Sequence, residues 1–553
     1  MKYLSVFLLC LFCIGARAHA QTLTPTGNLV IPSGRTIKWA PGLEFRGGIP
    51  HRTVLINVKH TPYNAKGDGV TDDTKAIQAA LDGAAGNEVV YLPASTYLIR
   101  NTLHISRPNI SIRGDGPAST IIHLADDGGL PIIMFNYLTS WSPRVAIMSP
   151  CTQGATQITL TTSKGIQVGD IVVISQLDPN FVNNQGGIRQ PITWAGAPGE
   201  KGKGNDFTRV MMQVDRVTAI TGKTLSLERP LYLTFRASQS PAINYMTPTD
   251  GIGVESLQLY RTGKGIGGYN ISMGTVAESW VTNVASINAP GAECDYHIEI
   301  NDSYACEVRG CWCQGGGVNG SGQDYGVYLV NNVSDVLVED NIFVGMRHSM
   351  AIAAGGSGSV YGYNYSTGNI ESDSGTNWCA EDACAYGCEP YMTLFEGNIV
   401  GQVTFDDHGG NAYNTVFRCW SLAWSSATAN ATNNRVAIDL QASTYAANIV
   451  GCVLGYAPHP HTTDITYKGD AQSSAYVEGN FSIKSGTASW VSGSVNLPAS
   501  LYHSAKPTWW TSQLPFPAVG PDCSPVNGSI PAEVRYKAQP GRYQNNSTPL
   551  LAP

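Results

Sequence analysis

The sequence predicts an all-β solenoid, with a helix closing its N-terminal end and a small antiparallel β subdomain inserted into the coil. Three observations carry this. The composition suits many short strands and tight turns: 60 Gly in 553 residues, only 14% charged residues, and recurrent Asn, Ser, Thr and Val. A strand-turn unit repeats along the second half. A single capped helix stands before the first strong strand run.

The helix comes first in the chain. In 62–82, PYNAKGDGVTDDTKAIQAALD, Gly67 and Gly69 punctuate a turn. Thr71 is placed as N-cap, and Asp72 and Asp73 put negative charge on the positive end of the helix dipole. Ala76, Ile77, Ala80 and Leu81 form one apolar stripe, and Gly83 is the expected stop. The run 89–99, VVYLPASTYLI, then reads as strand.

The repeat follows. Segments 301–311 (NDSYACEVRGC), 331–341 (NNVSDVLVEDN) and 354–364 (AGGSGSVYGYN) align without a gap. Segments 388–398, 409–419 and 442–452 fit the same frame, and a seventh ends at Asn480. The shortest steps are 21 and 23 residues, a period of solenoid type. The terminal column of Asn341, Asn364, Asn398 and Asn480, interleaved with Cys311, Cys419 and Cys452, predicts an inward turn position where amides bond from rung to rung.

The run 62–82 and the VVYLPASTYLI that follows resemble the N-terminal cap of the pectate-lyase-like superfamily. The resemblance implies a right-handed parallel β-helix and covers about 40 residues; the repeat extends it over roughly 250–490. It also implies a carbohydrate-directed protein, since that superfamily includes polygalacturonase-like hydrolases, polysaccharide lyases, epimerases and phage tailspikes. It does not choose among these chemistries. Ser95 stands where the superfamily usually has Gly. The DDHG string of 406–409 resembles part of the polygalacturonase pattern, but no NTD or RIK motif accompanies it.

Five segments are expected. Residues 1–20 read as a secretory signal, with Lys2, an apolar core over 4–14 and an Ala18-His19-Ala20 site cleaved after Ala20. Residues 21–140 hold the cap and first rungs. Residues 141–235 alternate as the inserted subdomain, 236–490 form the main β-helix, and the Pro-, Ser- and Trp-rich 491–553, with LPASLYHSAKPTWW, drapes over it. The signal implies a secreted protein, in a compartment that permits disulfides among the eleven cysteines beyond it. The cysteine spacings do not form a paired zinc knuckle. A net charge of −7 argues against a nucleic-acid partner and mildly disfavours a highly anionic substrate such as polygalacturonate, unless a local basic patch overrides the net value. No apolar run outside the signal approaches a membrane span.

The expected partner is therefore a polysaccharide. Hydrolysis needs two carboxylates, one protonated and one ionised. Counting back from the aligned rung ends stacks Asp406 on Asp439 and His408 on Gln441, with Phe405 and Ile438 facing the core. Ala351, Ala353, Ala385 and Gly387 would leave space beside them, and Arg347, Gln402 and Arg435 would share one edge. Asp406, Asp407, His408 and Asp439 are thus the catalytic candidates. Arg347, Arg435, Gln441 and Tyr467 are the substrate-binding candidates. Glu371, Asp373, Glu381 and Asp382 are runner-up acids, read first as solvated loop. His459 and His461 form a conceivable metal pair, read first as solvated. Trp378, Tyr386 and Tyr467 are candidate sugar platforms. Loops 371–389 and 456–464 are expected to wall the groove. A hydrolase needs no cofactor. A lyase would abstract a proton beside a uronate carboxylate and would use Arg, Lys or Ca2+, although Lys is scarce in the helix body. A non-catalytic carbohydrate-binding or adhesive β-helix is the third alternative.

Overall fold

The computed structural model describes residues 31–125, 129–135, 141–177, 209, 211–263, 268–316, 320, 322–375, 377–386, 389–405, 410–461, 463–484, 489–491, 493 and 495–539. The expected signal, residues 1–20, lies outside them. Among the described residues, no helix is long and apolar enough to cross a membrane.

The chain coils as a parallel β-helix, one short strand per face per turn. Two ladders merge into a 23-stranded sheet through the long strands Gly253–Arg261 and Trp280–Asn288, which pair with both. The first ladder continues through Glu307–Arg309, Leu337–Glu339, Val360–Gly362, Leu394–Glu396, Thr415–Phe417 and Asn448–Val450. The second runs beside it from Trp312–Gln314 to Phe481–Ser482. The third ladder is a separate sheet of ten parallel strands in sequence order, from Leu103–Ile105 to Thr463–Tyr467.

Alternation explains the core. In the first ladder the central residue of each strand points inward, so Val308, Val338, Tyr361, Phe395, Val416 and Ile449 stack fully buried. The flanking positions mix apolar Leu337, Val360 and Leu394 with Glu307, Glu339 and Glu396, which are buried as well. The Asn column forms at the corner between the first two ladders. Asn341 Nδ2 donates to Asn364 Oδ1 at 3.0 Å, and Asn364 Nδ2 to Asn398 Oδ1 at 3.0 Å. The amide N–H groups of Cys311 and Cys452 bond Asn341 Oδ1 and Asn480 Oδ1, each at 2.9 Å. Each side chain thereby satisfies a turn amide that would otherwise be buried unpaired.

The capping helix, Thr74–Gly83, starts later than the sequence predicts. Residues 68–72 pair as a strand with 95–99, so Thr71 is not the N-cap. Asp73 occupies that position, but its carboxylate accepts the N–H groups of Lys66 (2.6 Å) and Gly67 (2.8 Å) and closes the preceding turn. Gly83 is the last helical residue rather than the stop. Ile77, Ala80 and Leu81 are buried over the end of the coil.

The insertion folds as a six-stranded antiparallel sheet, from Val145–Ala146 to Ala242–Met246. It docks through fully buried Asp335, which accepts from the Tyr232 hydroxyl and pairs with Arg229 (3.2 Å) and Arg46 (3.5 Å).

The disulfide expectation is corrected: all ten described cysteines are free thiols. Cys306, Cys311, Cys419 and Cys452 are fully or almost fully buried and behave as small core residues. Cys311 Sγ, for example, lies 3.6 Å from the Val281 carbonyl.

Candidate functional site

The outward columns of the third ladder hold the candidate site. One column reads, rung by rung, Glu299, Tyr328, Ala351, Cys384, Thr404, Asp439 and Thr466. Another aligns Tyr269, Tyr296, Tyr325 and His348. Their chain neighbours Ile300, Leu329, Ile352, Phe405 and Leu440 face the core.

The densest cluster surrounds strand His348–Ile352. The Arg347 guanidinium forms an ion pair with Glu371 and donates to the Tyr325 hydroxyl at 3.1 Å. His348 Nδ1 lies 3.0 Å from the Glu381 carbonyl oxygen and 3.5 Å from Cys384 Sγ. With Nδ1–H donated to that carbonyl, Nε2 keeps its lone pair. The His348 ring is 5.0 Å from Tyr325 and 5.9 Å from Tyr386. A carboxylate oxygen of Glu371, one of Glu381 and a ring nitrogen of His348 all lie within 4.8 Å of one another.

Local sequence sets this up. Asp382 is fully buried and accepts from Asn369 Nδ2 (2.7 Å), Ser366 Oγ (2.9 Å) and the Gly401 amide (2.9 Å). That network pins the turn before Glu371 to the strand beginning at Ala383. Asp382 is therefore an organiser of the site. Glu371, only 3% exposed, is not a solvated loop residue. Burial lifts its pKa above the usual glutamate value, although Arg347 pulls it back in part. Glu381 is half-buried, with Asn434 Nδ2 3.4 Å from its Oε1. The two acids thus sit in different environments.

His348, Glu371 and Glu381 could hold a divalent cation. One imidazole and two carboxylates suit a transition metal better than calcium, which takes oxygen ligands. The Arg347 guanidinium on Glu371 would compete with it.

Asp406, Asp407 and His408 lie outside the described residues, as does Gly387. The register that paired Asp406 with Asp439 is corrected: Asp439 stands beside Thr404, and Phe405 beside Leu440. Ala385 faces the core rather than the groove. The error arose in counting across the turn between the third and first ladders, whose length varies: nine residues separate Phe405 from Thr415, but seven separate Leu440 from Asn448. Asp439 is 4% exposed, accepts from Gln441 and Thr466, and lies 3.7 Å from Lys468 Nζ. Gln441 also accepts from Lys468 at 2.8 Å. Tyr467, 38% exposed, ends the ladder.

Arg435 donates to the carbonyls of Ala423 (3.3 Å) and His459 (2.5 Å), holding the 456–461 turn. Gln402 is fully buried and closes onto the carbonyls of Asn434 and Val436, so it offers no edge to a groove. The two loop histidines have separate partners: His459 stacks on Trp424 at 4.4 Å, and His461 Nε2 meets Asp464 at 2.7 Å.

Sequence reasoning missed Tyr296, Tyr325 and His348. Their signal is visible in YHIEI, YGVYL and HSMAI, which align at the same point of successive rungs. Aligning strands rather than the Asn corner finds them.

A family described as rhamnogalacturonase A/epimerase, pectate lyase-like, matches residues 55–140. A probable glucan endo-1,3-β-glucosidase of Arthroderma benhamiae is 53% identical over 51 residues, 9% of this chain and 6% of that one. Alginate lyase 7 of Azotobacter vinelandii is 45% identical over 78 residues, 13% and 9% of the two chains. The chain thus spans less than a tenth of the length of these two relatives. In structure it is similar to the Pseudomonas phage phi297 tailspike gp61, with TM-score 0.53, 14% identity and coverage of 78% and 73%. That likeness concerns the fold alone.

Proposed function

We propose, for a chain that belongs to the pectate-lyase-like parallel β-helix superfamily, that it hydrolyses glycosidic bonds at the outer face of its third ladder. The observation that carries this reading is the approach of Glu371 and Glu381 within 4.8 Å, one buried beside Arg347 and the other half-exposed. An oxygen approach this close falls on the side of retaining glycosidases, whose carboxyl groups lie ~5–5.5 Å apart, rather than of the ~6.5–9.5 Å of inverting ones, and unlike surroundings suit unlike protonation states. The partial matches to polysaccharide-acting relatives support the substrate's general class and leave the reaction open.

In this reading Glu381 carries the proton and gives it to the leaving glycosidic oxygen. Glu371, ionised beside Arg347, attacks the anomeric carbon and forms a glycosyl ester as the C–O bond breaks. Glu381, now a carboxylate, takes a proton from water. The resulting hydroxide displaces Glu371 and releases the sugar. Arg347 holds Glu371 in place, and Tyr325, Tyr386 and His348 border the reacting sugar. Asp439 with Gln441 and Lys468 would contact the chain further along.

A second reading draws on the Arg347 contact to the Tyr325 hydroxyl, which favours negative charge on that oxygen. Tyr325 would then abstract a proton in a β-elimination. Incubation with neutral glucans, xylan, mannan, polygalacturonate and alginate separates the two. Hydrolysis yields new reducing ends without ultraviolet absorbance, and Glu371→Gln abolishes them. An absorbing, unsaturated product removes the hydrolytic reading.

A further inference from the structure

The third ladder offers a polymer a long strip. Eight strands lie between Tyr269–Gly274 and Thr463–Tyr467 inclusive, which at ~4.8 Å per rung spans roughly 34 Å along the helix axis. The N-terminal half of the strip is aromatic. The Tyr269 and Tyr296 rings stack at 5.2 Å, and Tyr328 lies 4.9 Å from Tyr296. Tyr296 and Tyr328 are half-buried, so each retains accessible ring surface.

The strip's charges run the other way from those of a polyanion site. Glu299, Glu371, Glu381 and Asp439 line it. Its described cations are engaged already: Arg347 is ion-paired to Glu371, Arg435 donates to the carbonyls of Ala423 and His459, and Lys468 bonds Gln441 and lies 3.7 Å from Asp439. A polymer with a carboxylate on every sugar would set negative charge opposite these four acids, while the three cations are already held by groups of the protein. Sugars without charge pay no such penalty and can lay their C–H faces on tyrosine rings.

From this we infer that the strip binds an uncharged polysaccharide, extended along the helix axis across the tyrosine rungs and the Glu371–Glu381 centre. The inference rests on the site assignment above and adds the substrate class to it.

Affinity electrophoresis of the whole chain through native gels containing neutral glucan, xylan, mannan, polygalacturonate or alginate tests it. At least one neutral polymer should retard migration, with little change on adding salt. Tyr296→Ala should weaken that retardation about fivefold. Lys537→Ala, on the exposed face of the C-terminal helix, should leave it unchanged. Retardation by a polyuronate equal to or stronger than by any neutral polymer overturns the inference, and so does retardation by none. Reducing-end release is read separately. A neutral polymer that is bound but not cut keeps the substrate class and removes hydrolysis.

Discussion

The outer faces of the ladders differ in what covers them. Over the first two ladders, Leu337, Ile342, Val360, Leu394 and Ile399 are buried under Trp39 from the N-terminal strap and Trp510, Ile530 and Ala532 from the C-terminal segment. Polar clamps lock that cover: His503 bridges Glu339 (2.7 Å) and Glu44 (3.1 Å), and Arg418 pairs with Asp522 at 2.6 Å. Over the third ladder the outward positions are Tyr, His, Glu, Asp, Thr and Cys, with one Ala at 351. Both faces obey the same pleat and rung spacing. The side chains alone decide which face is sealed by other segments of the chain and which is left aromatic and polar.

The largest effect expected from breaking this contrast is chemical. Glu371→Gln should lower the rate of reducing-end release by about 10²–10⁴-fold with an unchanged melting temperature. A comparable loss of melting temperature would make Glu371 a structural residue. The mirror experiment is Leu394→Ala on the sealed face. It should cost about 2–5 kcal/mol in denaturant unfolding while activity per folded molecule holds.

A pH test sharpens the sealed side. Burial alone would depress the His503 pKa, but hydrogen bonds and charge from Glu339 and Glu44 raise it to about 9. A raised histidine stabilises most below its unfolded value of about 6.5 and loses that contribution as pH climbs through 9. Stability should therefore fall by on the order of 2–3 kcal/mol across that window, and His503→Gln should remove the slope. A wild-type curve flat from pH 6.5 to 9 would refute the clamp.

On the other face, the sign of the shift at Glu371 can be moved. Arg347 lowers a carboxyl pKa that burial raises. Arg347→Gln should displace the acidic limb of kcat/KM to higher pH, and displacement to lower pH would exclude Glu371 as the nucleophile. The smallest effect belongs to Asp439→Asn. Its partners Thr466 and Gln441 can bond an amide too, so KM should rise only a few-fold with kcat held. A collapse of kcat would return Asp439 to the catalytic centre.

Much of the architecture is legible in the residues. The Asn341–Asn364–Asn398 column announces the corner because a buried amide at a fixed rung position has one economical use, bonding the next rung. The alternating 141–235 segment announces an antiparallel insertion because period-two patterning is local, although the inserted sheet runs past the expected end at 235 and takes in Ala242–Met246. The candidate site is far less legible. Tyr325, His348 and Cys384 come from three rungs, and Glu371 and Glu381 from a loop between two of them.

The sequence by itself therefore determined the β-helix, its cap, its inserted sheet and its inward column, since strand period and turn chemistry act between near neighbours. Tertiary structure decided the rest. It set the register of Asp439 against Thr404, because a turn of variable length precedes each counted corner. It also brought Glu371 out of solvent to Arg347, because the buried Asp382 network fixes where that loop lies.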